Sequence, residues 1–160
     1  MLILLIDITS FTDLKGYERV GKIAYNPDLL LGQGSMGTSV YRGLFEQREV
    51  AVKRYVKTMW SETAKNEANC LIKSDLHPNI LRYFGMEQSA DFIYLALQLC
   101  QTNLQDLIDG IYPNTAVNEV RLSGDILEGL SHLHNLMPQP IVHRDLKPSN
   151  ILISIPQLNV

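Results

Sequence analysis

The most constraining feature of this sequence is the string at residues 143–150, which reads H-R-D-L-K-P-S-N. It places Asp145, Lys147 and Asn150 close together in the chain, and apolar pairs flank it on both sides. Pro148 stiffens the backbone of the string. A solvated turn is the simpler interpretation, but the complete string with its flanks disfavours it. We therefore expect an ordered loop that carries a carboxylate, a cation and an amide.

A glycine-rich turn, G-Q-G-S-M-G, contains Gly32, Gly34 and Gly37. Glycines let the backbone approach phosphate oxygens where a Cβ would intervene. A dinucleotide-binding unit shares this spacing, but there the third glycine opens a helix. Here T-S-V-Y follows, which is rich in strand-forming residues and predicts a flap between two strands. A plain hairpin is the alternative.

A lysine-bearing strand is predicted where residues 50–53 read V-A-V-K, with Ala51 and Lys53 on the same face. A small residue beside a lysine suits a slot for a flat base with a cation near its phosphates. Glu67 borders the apolar face of a helix predicted further along the chain. Because an unpaired buried carboxylate is costly, Glu67 is predicted to pair with Lys53. The alternatives are a solvated Lys53 and a Glu67 that is exposed or paired with Lys65.

The order of predicted elements is five strands with one helix inserted, followed by helices. The alternating strand and helix order of a parallel dinucleotide-binding sheet is absent, so an α+β fold with a five-stranded antiparallel sheet is predicted. Strands are predicted between residues 29 and 56 and at 80–86, 92–99 and 151–155. Helices are predicted at 61–74, 104–108 and 118–136, and residues 7–28 are predicted to be irregular. The last helix is predicted to bury a stripe of Val120, Ile126, Leu130 and Leu133.

Composition limits the classes of protein that this chain can belong to. Its 160 residues are 46% hydrophobic and 19% charged, which is typical of one globular domain. The net charge of −3 predicts no direct binding to nucleic acid or anionic lipid. Cys70 and Cys100 form no disulfide framework. The apolar run at residues 1–6 is shorter than a membrane span and lacks the features of a signal peptide, so no membrane span is expected. Two cysteines fit a reducing compartment, and a cytoplasmic location is expected.

Flap, lysine strand, helix glutamate and polar loop occur in the order of a protein kinase, and residues 143–150 match the kinase catalytic-loop pattern H-R-D-L-x-x-x-N. The chain resembles a protein kinase over residues 25–155, and Lys147 resembles the serine/threonine class. Stretches such as H-P-N-I-L-R-Y-F at 77–84 and N-I-L-I-S at 150–154 resemble the kinase portion of the inositol-requiring enzyme family. Those proteins sense unfolded proteins at the endoplasmic reticulum membrane and couple a cytosolic kinase to an endoribonuclease.

The resemblance implies ATP and Mg²⁺ as cofactors, with a protein substrate or the kinase itself as phosphate acceptor. In the binding site it implies that the glycines cover the phosphates, that Lys53 holds them and pairs with Glu67, and that the adenine site includes Val40, Ala51, Gln98, Cys100 and Leu152. In the catalytic loop it implies that Asp145 accepts the proton, Lys147 assists and Asn150 binds the metal. It further implies a lead-in at 1–24 and a partial kinase domain at 25–160, with an N-lobe at 25–99 and a truncated C-lobe at 100–160.

The sequence also departs from the kinase pattern. Ser39 stands where valine is usual, with Val40 next; Gln98 stands where an acidic residue is common; and residues 137–140 look like an insertion. The sequence contains no Asp-Phe-Gly and no Ala-Pro-Glu. We therefore expect a fragment that is inactive alone. We also expect the helix at 118–136 to expose apolar surface. The alternative is a non-catalytic nucleotide-binding or dimerising module. A nucleotide-dependent oxidoreductase is disfavoured by the strand after Gly37.

Overall fold

The computed structural model describes residues 15–34, 37–60, 62–74, 77–112 and 118–154. Its main feature is a six-stranded antiparallel sheet with the strand order β1-β2-β3-β4-β6-β5. The strands are β1 Glu18–Val20, β2 Ile23–Gln33, β3 Ser39–Phe45, β4 Arg48–Val56, β5 Tyr83–Gln88 and β6 Phe92–Gln98. A second sheet pairs β7 (Thr102–Asn103) with β8 (Leu152–Ile153).

The helices of the described residues are α1 Glu62–Ser74, α2 Leu104–Ile108 and α3 Glu119–His134. Asparagine side chains cap the last two: Asn103 accepts a hydrogen bond from the backbone N–H of Asp106 at 2.9 Å, and Asn118 accepts one from Arg121 at 3.1 Å. Each cap satisfies an N–H group that has no partner within its helix. Residue 61, where the first helix was predicted to begin, lies outside the described residues. In the part of the chain that is described, none of the helices is both long and apolar enough to span a membrane.

Strand β4 divides the hydrophobic core in two, because its side chains alternate between the faces of the sheet. Val50 and Val52 are fully buried and pack with Tyr25 on one face. Tyr55 packs on the other face, in a cluster that includes Ala68 of α1. Helix α1 therefore covers the face to which the odd-numbered residues of β4 point.

The large sheet begins earlier than the sequence predicted. Strand β1 and the first residues of β2 form a hairpin in the segment that was expected to be irregular, with Glu18 opposite Tyr25 and Val20 opposite Ile23. Gly21 makes the turn with a φ of +55°, a conformation that glycine adopts without strain. The irregular lead-in is therefore wrong over residues 18–24, and the sheet has six strands, not five. The predicted α+β class with an antiparallel sheet is confirmed.

Helix α3 exposes part of its apolar surface. Leu133 and Gly129 are buried, whereas Val120 is 83% exposed and Leu127 is 66% exposed. The prediction that Val120 is buried was wrong, because helical periodicity identifies a face but not what covers it. The apolar surface that was expected on this helix is present.

Candidate functional site

Four neighbouring strands bring several of the predicted site residues into one row. Gly32 lies opposite Val40, Val40 lies opposite Lys53, and Lys53 lies opposite Leu95. Directly opposed residues in antiparallel strands present their side chains on the same face, with Cα atoms about 5 Å apart. The glycine-rich turn, the valine and the lysine, which are separated in sequence, are therefore adjacent in the sheet.

The glycine-rich turn connects β2 to β3, as the sequence predicted. The backbone N–H of Gly34 donates to the carbonyl of Thr38 at 2.8 Å, and Thr38 is buried. Gly37 has a φ of +71°, in the left-handed region that favours glycine. Residues 35–36 lie outside the described part of the chain. A strand follows the third glycine, which distinguishes this turn from the helix-opening turn of a dinucleotide-binding unit.

Lys53 lies on the face of the sheet that α1 covers. It shares that face with Ala51 and Tyr55, as the strand periodicity predicted, and its Nζ lies 5.2 Å from the centroid of the Tyr55 ring. Helix α1 carries Glu67, whose side chain lies outside the described part of the structure. The predicted pairing of Lys53 with Glu67 therefore stays a prediction.

The pairing of β3 with β4 explains the departure at Ser39. Val40 is opposite Lys53, whereas Ser39 is opposite Arg54. Opposed residues share a face, so Val40 points to the side of Lys53 and Ala51, and Ser39 points to the side of Arg54. Val40 is thus the residue of this pair that can pack on a base held beside Lys53.

The catalytic-loop string forms a compact polar cluster around Asp145. Lys147 Nζ lies 3.0 Å from Asp145 Oδ2, and the side-chain amide of Asn150 donates to the same oxygen at 2.8 Å. The amide also donates to the backbone carbonyl of Asp145 at 2.8 Å. Arg144 precedes the aspartate with a φ of +63°. The three residues that the sequence singled out in this loop are therefore in direct contact.

The charge of Asp145 is stabilised by these neighbours. The hydrogen bond from Lys147, followed by that from Asn150, holds the pKa of the Asp145 carboxyl below its ordinary value of 3.8, and the charge of His143 acts in the same direction. His143 itself is exposed, and its backbone carbonyl accepts a hydrogen bond from the N–H of Asp145 at 2.9 Å.

The small sheet anchors the catalytic loop. Leu152 lies opposite Asn103 in the pairing of β8 with β7. The N–H of Leu104 donates to the carbonyl of Ile151 at 2.8 Å, which ties the start of α2 to the end of the loop. The loop is thus held at its C-terminal side by backbone hydrogen bonds.

The chain segment between the two sheets contains Gln98 and Cys100. Gln98 ends β6 opposite Val50, beside Ala51 of β4. Cys100 is half-buried, and burial raises the pKa of its thiol. Along the chain, Cys100 lies between β6, which pairs with the strand of Ala51, and β7, which pairs with the strand of Leu152. The predicted adenine site stays a prediction.

Comparison with known proteins identifies the family. The family model for the protein kinase domain matches residues 25–160. The chain belongs to the protein kinase family. It is 43% identical over 150 residues to a serine/threonine-protein kinase/endoribonuclease of Aspergillus fumigatus, and 44% identical over 144 residues to one of Homo sapiens. It is also 40% identical over 155 residues to a Schizosaccharomyces pombe protein named a sensor for unfolded proteins in the ER.

These alignments cover 86 to 93% of this chain but only 12 to 14% of each relative. The kinase-domain resemblance, including that to kinase/endoribonucleases, is confirmed for the matched region. The candidate site residues that the structure brings together form two groups, the row on the large sheet and the cluster around Asp145.

Two contributors to the site were missed by the sequence analysis. Tyr55 lies beside Lys53, and its position two residues further along the same strand was a usable signal. Ser154 contacts the side chain of Gln98, and no local pattern links residues 56 positions apart.

Proposed function

We propose that this chain is the ATP-binding part of a serine/threonine protein kinase, which transfers a phosphoryl group from ATP with Mg²⁺ to a hydroxyl of a protein or of the kinase itself. The observation that carries the proposal is the cluster in which Lys147 and Asn150 both contact the carboxylate of Asp145. A carboxylate held in its charged form is the group required to orient and deprotonate an attacking hydroxyl.

The large sheet supplies residues that fit a nucleotide. Gly32 has open space where a Cβ would stand, so phosphates can approach the backbone there. Lys53 provides a cation in the same row, paired with Glu67 in this proposal. Val40 and Ala51 line the adenine site from the large sheet. Leu152 closes it from the small sheet, while the backbone at Gln98 and Cys100 binds the base edge.

Asn150 fits a magnesium ligand. Its Nδ2 atom donates both to the carbonyl and to the carboxylate of Asp145, which fixes the orientation of the amide. The amide oxygen is consequently directed away from these two acceptors. An oxygen of this kind is a suitable ligand for Mg²⁺, which prefers carboxylate, carbonyl and water oxygens.

Each residue of the cluster around Asp145 has a separate role in the proposed phosphoryl transfer. ATP with Mg²⁺ supplies the phosphoryl group and neutralises its charge when bound. Asp145 orients the acceptor hydroxyl and takes its proton at the carboxylate. Lys147, which already contacts that carboxylate, offsets negative charge that develops next to it.

The names of the relatives support a proposal about the cellular setting. Several are named kinase/endoribonucleases, and one is named a sensor for unfolded proteins in the ER. We propose that this kinase domain acts in the unfolded protein response, and that it faces the cytoplasm at the endoplasmic reticulum membrane within a longer protein.

A non-catalytic nucleotide-binding or dimerising module is the second candidate. The exposed apolar side chains of α3, Val120 and Leu127, favour it because they offer surface to a second copy. In this case the chain binds nucleotide but transfers no phosphate.

The test is a titration of the 160-residue chain with ATP and Mg²⁺, followed by thermal unfolding and by a phosphate-transfer assay. Wild type should be stabilised by ATP, Lys53→Ala should not, and Lys73→Ala on the exposed side of α1 should behave as wild type. No stabilisation of the wild type by ATP would overturn both candidates. Stabilisation with no phosphate transfer by the kinase domain, even within the longer protein, would select the non-catalytic module. Transfer that Asp145→Asn abolishes would select the kinase.

A further inference from the structure

The side chain of Gln98 bridges the two sheets. Its Nε2 donates to the hydroxyl oxygen of Ser154 at 3.5 Å, and its Oε1 accepts from the backbone N–H of Arg82 at 3.5 Å. The backbone N–H of Gln98 also donates to the carbonyl of Arg82 at 2.9 Å. Gln98, the last residue of β6, therefore contacts both the segment before β5 and the residue that follows β8.

The chemistry of the amide suits this position. A glutamine side chain donates and accepts at the same time, so it satisfies the N–H of Arg82 and reaches the hydroxyl of Ser154 together. An ionised carboxylate only accepts, and an apolar side chain does neither. The two contacts thus require the particular combination of groups that Gln98 carries.

The two ends of the bridge belong to the two walls of the proposed nucleotide site. Gln98 lies opposite Val50, next to Ala51 on β4. Ser154 directly follows β8, and β8 is fixed to the small sheet because the N–H of Gln101 donates to the carbonyl of Ile153 at 3.1 Å. Displacement of Ser154 relative to Gln98 therefore changes the separation of Ala51 from Leu152.

We propose that Gln98 is a positioning residue, whose side chain ties the two sheets together through Ser154 and sets the width of the slot for the adenine base. This inference rests on the proposed nucleotide binding. The bridge joins the end of β6 to the residue that follows β8, so it limits how far the small sheet rotates away from the large one.

The experiment compares Gln98→Met, Ser154→Ala and the double variant in the full 160-residue chain, with Gln88→Met on the exposed end of β5 as the control. Binding of a fluorescent ATP analogue and of inorganic tripolyphosphate is measured for each. Each single variant should bind the ATP analogue about two- to tenfold more weakly, the range expected for one net hydrogen bond. Affinity for tripolyphosphate should not change, because it has no base. The double variant should lose no more than the weaker-binding single variant.

Hydrogen exchange of the backbone amides supplies a readout that needs no nucleotide. The N–H groups of Gln98 and Gln101 flank the connecting segment, and both should exchange faster in Gln98→Met and Ser154→Ala than in the control. Additive losses in the double variant, or equal losses for tripolyphosphate, would overturn the inference. If the wild type binds no ATP analogue, the proposed function fails, and unchanged exchange rates would then reject the bridge independently.

Discussion

The side-chain amide of Asn150 lies within 2.8 Å of the carboxylate oxygen Oδ2 of Asp145 and within 2.8 Å of its backbone carbonyl oxygen. The same amide group thereby stabilises the charged carboxylate of Asp145, the proposed proton acceptor, and holds the backbone carbonyl of that residue. Lys147 Nζ lies 3.0 Å from the same carboxylate oxygen. The pKa of the Asp145 carboxyl consequently depends on both Lys147 and Asn150.

Replacement of Lys147 by methionine should raise the pKa of Asp145 toward its ordinary value of 3.8, because the hydrogen bond from Lys147 is the largest cause of the lowered value. Asn150→Leu should raise it by less. The lowered pKa means that the bonded carboxylate favours the folded state above the ordinary pKa, and that this contribution is lost as the pH falls through the folded value. NMR titration of the Asp145 carboxyl measures the change. An unchanged pKa in Lys147→Met would show that the contact is not formed in solution.

Val40→Ser should weaken binding of an ATP analogue, whereas Ser39→Ala should not, because only Val40 shares a face with Lys53. We expect a loss of about tenfold for Val40→Ser, the effect of removing apolar contact with a flat base. Fluorescence titration of both variants measures it. Equal losses for both would contradict the assignment of faces in β3.

Gly43→Ala should destabilise the fold by about 1–3 kcal/mol through overpacking. A Cβ at this position would lie 2.4 Å from the carbonyl oxygen of Ala24 and 2.6 Å from Cγ2 of Val52. Gly124→Ala is the matched control: no atom lies within 4 Å of its Cβ, and alanine should stabilise helix α3 by about 0.5–1 kcal/mol. Urea unfolding of both variants measures the difference. The reverse order of stability would refute the close approach of β2, β3 and β4 around Gly43.

The thiol of Cys100 should react with iodoacetamide only at high pH, because burial raises its pKa above the ordinary value of 9.0. The rate should be measured against pH in a Cys70→Ser background, which leaves one thiol in the chain. In denaturant, the pH at which the reaction rate reaches half its maximum should return to the ordinary pKa of a cysteine thiol. A native midpoint at or below 9.0 would show that Cys100 is more accessible to water than the fold indicates.

Strand periodicity was sufficient to predict that Ala51 and Lys53 share a face, since successive side chains in a strand alternate by geometry alone. The strand-forming residues after Gly37 were sufficient to predict the strand there, and the short helix that begins at Leu104 was predicted as well. The hairpin of β1 with β2 was missed, because a three-residue strand carries too few side chains for a pattern to be seen. Helical periodicity also predicted that Val120 is buried, because a periodic pattern does not indicate which element covers a helix face.

The amino-acid sequence by itself determined the local chemistry: the glycines of the turn, the lysine strand and the order of Asp145, Lys147 and Asn150, from which the kinase family was recognised. Backbone stereochemistry and residue type act over a few neighbours, so a single sequence displays them directly. The tertiary structure decided which distant residues meet, such as Gly32 with Val40 and Lys53, and Gln98 with Ser154. Those contacts depend on strand register and on the packing of one segment against another, which no short stretch of sequence encodes.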